Sequence, residues 1–159
     1  MNELQNPMTG FKLLEEAFSQ GFRMHHIEDT EDIYIEIDRG LIGLRYTYAR
    51  LKELKVQQLV VLDQVQHLNG LPCFSLFYGT LEELRGKGLS VAFIEYILKQ
   101  FRKDLHSSYG NHYFIESLIE TDNEPSLAVA CKLFGEHSHD GVDSESGVPT
   151  RIWQFKEIR

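Results

Sequence analysis

Arg85-Gly86-Lys87-Gly88-Leu89-Ser90 is the stretch whose reading decides the fold. It follows the apolar run Leu71 to Thr80. It opens a segment in which Ile94, Ile97, Leu98, Phe101 and Leu105 recur at three- and four-residue spacings, the pattern of an amphipathic helix. A short basic turn with two glycines at a helix start suits an anionic ligand. The first backbone N–H groups of a helix have no intrahelical partners, and the helix dipole favours negative charge there. The glycines let the backbone approach closely, and Arg85 and Lys87 add charge. The plainer alternative is a solvated basic helix start.

Outward from this turn, Tyr113 to Glu120 reads as a strand, and Asn123-Glu124-Pro125-Ser126 begins another helix that ends near Phe134-Gly135. Pro125 falls in its first turn, where a missing N–H costs nothing. On the other side, Val56 to Gln66 and Leu71 to Thr80 flank Asn69-Gly70, which predicts a hairpin. Ile33, Ile35 and Ile37 alternate with polar residues as a strand does, and Arg151 to Ile158 does the same at the end. Thr9 is placed as the cap of a first helix carrying Phe11, Leu14, Ala17 and Phe18 and closed by Gly21. Leu41 to Leu54 is read as a second helix, Asp104 to Asn111 as a connection, and Glu136 to Val148 as a mobile polar loop. The expected fold class is α+β, a mixed and mostly antiparallel sheet flanked by helices.

The 159 residues suit one domain with a real core, at 42% hydrophobic and 25% charged residues. A net charge of -8 argues against a broad nucleic-acid or anionic-membrane surface and mildly favours cationic partners. No apolar run approaches the roughly eighteen residues of a membrane span. Met1 to Gly10 lacks the basic-then-apolar pattern of a leader, so a cytoplasmic location is expected.

Cys73 and Cys131 form no secreted disulfide framework; both are read as buried, inert thiols. Tyr34, Tyr46 and Tyr48 are read as core aromatics, with an acceptor pocket as the alternative. The histidines His25, His26, His106, His112, His137 and His139 fall in no metal-ligand spacing, so no metal is expected.

Arg85-x-x-Gly88-x-Ser90 followed, a helix and a strand later, by Asn123-x-x-Ser126 resembles the GCN5-related N-acetyltransferase (GNAT) superfamily over roughly Leu71 to Gly135. The resemblance implies a single GNAT-like domain over residues 1–159 with splayed central strands. It implies acetyl-CoA as acyl donor, lying in a wedge between Cys73–Thr80 and Tyr113–Glu120. The pantetheine arm would meet Tyr78 and Thr80, and the pyrophosphate the turn of Arg85, Gly86, Lys87, Gly88, Leu89 and Ser90, with Asn123 beside it. The acceptor would be a primary amine of a small molecule or protein, and a homodimer through the final strands stays open.

Acyl transfer to an alkylammonium needs a base, a donor for the oxyanion and, optionally, an acid for the thiolate. Period-two geometry puts Glu116, Leu118 and Glu120 on one strand face, making Glu116 and Glu120 the candidate bases; Glu82 and Glu83 follow the other wedge strand. For each carboxylate the alternative is a solvated or ion-paired surface group. The family's usual helix Tyr, seven residues after the Asn, is Ala130 here, and Cys131 points about 100° away around the helix. That leaves Tyr78, Tyr113 or no acid at all. It also leaves a second reading, a catalytically weak CoA- or acetyl-CoA-binding sensor or interaction module.

Overall fold

The computed structural model describes residues 7–110 and 112–157. Among these, the chain runs through helix α1 (Pro7–Ser19) and strands β1 (His25–His26), β2 (Ile33–Arg39), β3 (Leu44–Lys52), β4 (Lys55–Leu68) and β5 (Leu71–Thr80). Helix α2 (Leu89–Tyr109), strand β6 (Tyr113–Glu120), helix α3 (Glu124–Phe134), and strands β7 (His139–Val142) and β8 (Pro149–Glu157) follow. The strands form one sheet in the order β1-β2-β3-β4-β5-β6-β8-β7. β5 and β6 run parallel and every other described neighbour pair is antiparallel. The expected α+β class with a mixed, mostly antiparallel sheet is therefore correct. No described helix is long and apolar enough to cross a membrane.

Strand alternation sorts side chains to two faces. On one face Tyr46, Tyr48, Val60, Leu62, Phe74 and Leu76 meet the apolar stripe of α2, Phe93 through Leu105. Phe74, Phe101 and Tyr113 pack edge to face at the centre of this layer. α3 extends the layer over β6 and β8, where its Leu127 and Ala130 cluster with Ile119 and Trp153. On the opposite face α1 covers Ala49, Leu51 and Leu59 with Phe11 and Phe18. Over β6 that face carries Glu116 and the exposed Leu118.

Four elements differ from the sequence expectation. Leu41 to Leu54 is not a helix: Gly40 N–H donates to Gly43 O at 2.8 Å, closing a tight β2–β3 turn, and β3 follows. Tyr46 and Tyr48 bury on one side and Ala49 on the other, so period two overrides the helical reading. A Cβ at Gly43 would come within 2.6 Å of Gln64 Cδ and 3.1 Å of its Cβ, so a side chain there would displace Gln64. The segment 136–148 is no uniform loop; His139–Val142 pairs with β8. α2 continues through Tyr109, past the expected connection from Asp104. α1 already includes Pro7, so Thr9 lies inside it rather than capping it. Asn69 (φ 51°) and Gly70 (φ 78°) form the expected β4–β5 hairpin turn in left-handed backbone. Met1 to Asn6, Asn111 and Ile158, parts of the leader, connection and final-strand readings, lie outside the described residues.

Candidate active site

The parallel pair β5–β6 is short. It joins Cys73 to Phe114, Phe74 to Ile115 and Ser75 to Glu116, and stops there. Beyond Ser75 and Glu116 the two strands have no mutual register, so Leu76–Thr80 and Ser117–Glu120 edge a wedge. Leu81 N–H donates to Gln57 O on β4. By alternation the N–H and C=O of Tyr78, an odd number of residues away, face the wedge instead. A strand edge with free backbone groups is a template for an extended, amide-containing chain.

At the wide end of the wedge lies a cleft of about 530 Å³. Tyr78, Gly79 and Thr80 of β5 form one wall, and Asn123, Ser126, Val129 and Lys132 of α3 the other. Its end is closed by Arg85, Gly86, Gly88, Leu89 and Ser90. Gly88 caps α2 in left-handed backbone (φ 73°) with no side-chain hydrogen bond, so the first N–H groups of a 21-residue helix are not occupied by a cap. Gly86 is also left-handed (φ 76°), and a Cβ at either glycine would meet nothing within 4 Å. The turn is therefore an open concavity edged with backbone donors.

Neighbouring residues fix this cradle to the sheet. Thr80 Oγ1 and Ser90 Oγ lie 2.6 Å apart. The buried Gln58 donates from Nε2 to Leu89 O at 3.1 Å and to Thr80 Oγ1 at 3.4 Å. Arg85 Nε donates to Thr80 O at 3.0 Å. Thr80 and Ser90 thus tie the helix start to β5, and Gln58, a polar residue in an apolar strand, was the missed part of that tie. Lys87 is exposed at the tip and stands outside the cleft lining. Asn123 lines the cleft, and its Oδ1 accepts from Ser126 N at 3.3 Å as the cap of α3. Lys132, which sequence reasoning passed over, adds a cation to the far wall.

Tyr78 spans the cleft floor, its hydroxyl donating to Ser126 O at 2.8 Å. Burial raises its pKa above the ordinary tyrosine value, so the hydroxyl keeps its proton. Tyr113 is buried in the core and takes no part in the cleft. Ala130 is fully buried, whereas Cys131 is exposed, which corrects the reading of Cys131 as a buried thiol. Ser117, one residue past the last paired position, is 1% exposed and its Oγ has no hydrogen-bond partner. An unsatisfied hydroxyl at the wedge vertex costs stability unless an entering group pairs with it.

The candidate bases lie on the other face of β6. Glu116 stands at the vertex, where its Oε2 accepts from Gln154 Nε2 at 3.4 Å and from Cys73 Sγ at 3.8 Å. Glu120 lies four residues farther out, about 13 Å along the strand, and accepts from Ser146 Oγ at 3.3 Å. Cys73 is buried, as expected, and desolvation first and Glu116 second push its thiol up to about 12. It stays protonated. Among the described residues no three His, Cys, Asp or Glu side chains converge as a metal site. His137 instead pairs with Asp140 at 2.9 Å.

No protein-family model and no curated protein sequence matches the chain. Solved structures do. A ribosomal-protein-S5-alanine acetyltransferase from Vibrio fischeri superposes with a TM-score of 0.56 at 13% identity, over 72% of this chain and 61% of that one. An acetyltransferase of the GNAT family from Streptococcus pneumoniae gives 0.54 at 13% identity, over 70% and 66%. A putative acetyltransferase from Salmonella typhimurium, solved with acetyl-CoA, gives 0.55 at 14% identity, over 72% and 66%. The chain spans less than two thirds of each of these relatives' lengths. Its fold is that of the GNAT acetyltransferases.

Proposed function

We propose that this chain, folded as these acetyltransferases are, transfers an acetyl group from acetyl-CoA to a primary amine of a small molecule or protein. The observation that carries the reading is the joining of two features in one cleft: an uncapped glycine turn at a helix start, and a strand edge with free backbone groups beside it. An anionic, extended cofactor needs both. In this reading the pyrophosphate rests on the N–H groups of Gly86 to Ser90, with Arg85, Lys87 and Lys132 supplying charge. The pantetheine runs along Leu76–Thr80, and Tyr78 N–H faces the acyl oxygen as oxyanion donor.

The amine approaches from that opposite face of β6, where Glu116 accepts its proton directly or through water; Glu120 is the more distant alternative. Attack on the thioester carbon forms the C–N bond and expels the CoA thiolate. Tyr78, on the cofactor side with its proton retained, turns its O–H from Ser126 O to hydrogen-bond that thiolate in place of the side chain absent at Ala130, and the second proton lost by the amide nitrogen passes through water to the sulfur. Tyr78→Phe is expected to lower kcat roughly tenfold while acetyl-CoA affinity stays within about twofold, since a thiolate already leaves well. Stopped-flow detection of released thiol checks this; an unchanged kcat would leave Tyr78 as a tie between β5 and α3.

The fully buried Ala130 at the family's usual acid position favours a second reading, a cofactor-binding sensor of low catalytic power. Thiol release from acetyl-CoA separates the two. The acetyltransferase produces CoA only when an amine is supplied, whereas a sensor binds acetyl-CoA and releases none with any amine offered.

A further inference from the structure

On the face of the sheet opposite the cofactor cleft, α1 does not lie flush against the strands. A groove of about 210 Å³ remains between them, equal to about seven water molecules' share of liquid volume. α1 contributes Leu13, Leu14 and Ala17, and Phe22 closes one end. The floor is Leu59 and Val61 of β4 with Thr47 of β3. Leu13, 44% exposed, stands at the open side.

One flank of this apolar groove is charged, and the charges do not balance. Register places Asp38 opposite Arg45 and Glu36 opposite Thr47, all facing the groove. Arg45 is spent on Asp38, to which it donates from both Nε and Nη2. Asp63, paired with Arg45 on the next strand, lies outside the groove lining, with its buried Oδ1 against Gly40 and without a hydrogen-bond partner. Glu36 is half-buried, and among the described residues it has neither an ion pair nor a hydrogen bond. A carboxylate without a partner beside an apolar groove offers a charge that an entering cation can pair with.

We propose that this groove is a binding site for a small organic ammonium ion, its apolar body against Leu14, Phe22, Leu59 and Val61 and its charged nitrogen on Glu36. The floor is β2 to β4, whereas the acyl-transfer wedge opens between β5 and β6, so the occupant is not the amine at the thioester. The site is independent of the reaction proposed above.

The test titrates the wild-type chain with phenethylammonium and, separately, with the neutral isostere 2-phenylethanol, following side-chain methyl resonances. Saturable shifts of the Leu13, Leu14, Leu59 and Val61 methyls are expected, with the alcohol binding at least about tenfold more weakly. Glu36→Gln, which keeps the shape, is expected to weaken the ammonium about tenfold and to leave the alcohol unchanged. Ala17→Phe, which fills the groove, is expected to abolish both shifts. Equal affinity for ammonium and alcohol in the wild-type chain overturns the proposal, as do shifts mapping elsewhere or no saturation by either probe. The comparison of two probes on unaltered protein needs no variant to fold.

Discussion

Gly88→Asp is expected to weaken acetyl-CoA binding at least about 100-fold while the protein stays folded. The position sits at φ 73° with no neighbour to clash with a new side chain, so folding loses little beyond the left-handed strain, which Asp tolerates better than most residues. The loss arises in the cradle. A carboxylate about 4 Å from a pyrophosphate, at an effective dielectric near 20, is repelled by about 4 kcal/mol, and screening reduces part of that. Gly88→Asn is the matching control, for it adds the same size and strain without charge. It is expected to cost no more than about tenfold. Equal losses for Asn and Asp would mean that no anion occupies the turn. Calorimetry gives the affinities, and thermal melting confirms that both variants fold.

Glu116→Gln is expected to lower kcat about 100-fold or more, with acetyl-CoA affinity unchanged. Glutamine keeps a carbonyl oxygen for Cys73 and Gln154 but cannot take a proton from an ammonium. The cleft proposed for the cofactor lies on the opposite side of the sheet, which is why binding and turnover are expected to separate. The matching change Glu120→Gln is expected to leave kcat within about threefold, because about 13 Å of strand separates it from the vertex. A full loss at Glu120 with none at Glu116 would reverse the assignment. Raising the pH is expected to restore part of the Glu116→Gln rate, since more of the amine is then already deprotonated. Measured kcat against pH for the two variants decides between them.

Much of the strand architecture was legible because alternation and turn chemistry agree. Ile33-Tyr34-Ile35-Glu36-Ile37 and the Asn69-Gly70 hairpin needed no tertiary information. Leu41 to Leu54 misled because the Glu53-Leu54 turn in left-handed backbone carries no strong sequence mark, so the segment read as one continuous element. The β-branched and aromatic run Tyr46-Thr47-Tyr48 outweighed the helical spacing once β2 and β4 could pair on both sides. β7 escaped notice because it is four residues long with Val142 as its one large apolar side chain, and it becomes a strand only by pairing with β8.

In the site, the turn was legible from residues 85–90 through local backbone chemistry, whereas the wedge strands came from the family resemblance carried by residues 85–90 and 123–126. The division of labour between the two sheet faces could not. Whether Glu116 stands at the vertex and Glu120 far from it depends on where β5–β6 pairing stops, a property of both strands together. The same is true of Glu36 in the α1 groove, whose neighbours come from four elements. Cys131 was misjudged because apolar composition around a short helix does not say which side the sheet will cover.

The measurement that tests the account most directly is a calorimetric titration of the wild-type chain with acetyl-CoA, repeated in the presence of excess CoA. Saturable one-site binding in the micromolar range, about −8 kcal/mol, that CoA competes away is the predicted result. Absence of saturable heat up to about 1 mM ligand, from protein shown to be folded, would contradict it and leave the resemblance one of architecture only.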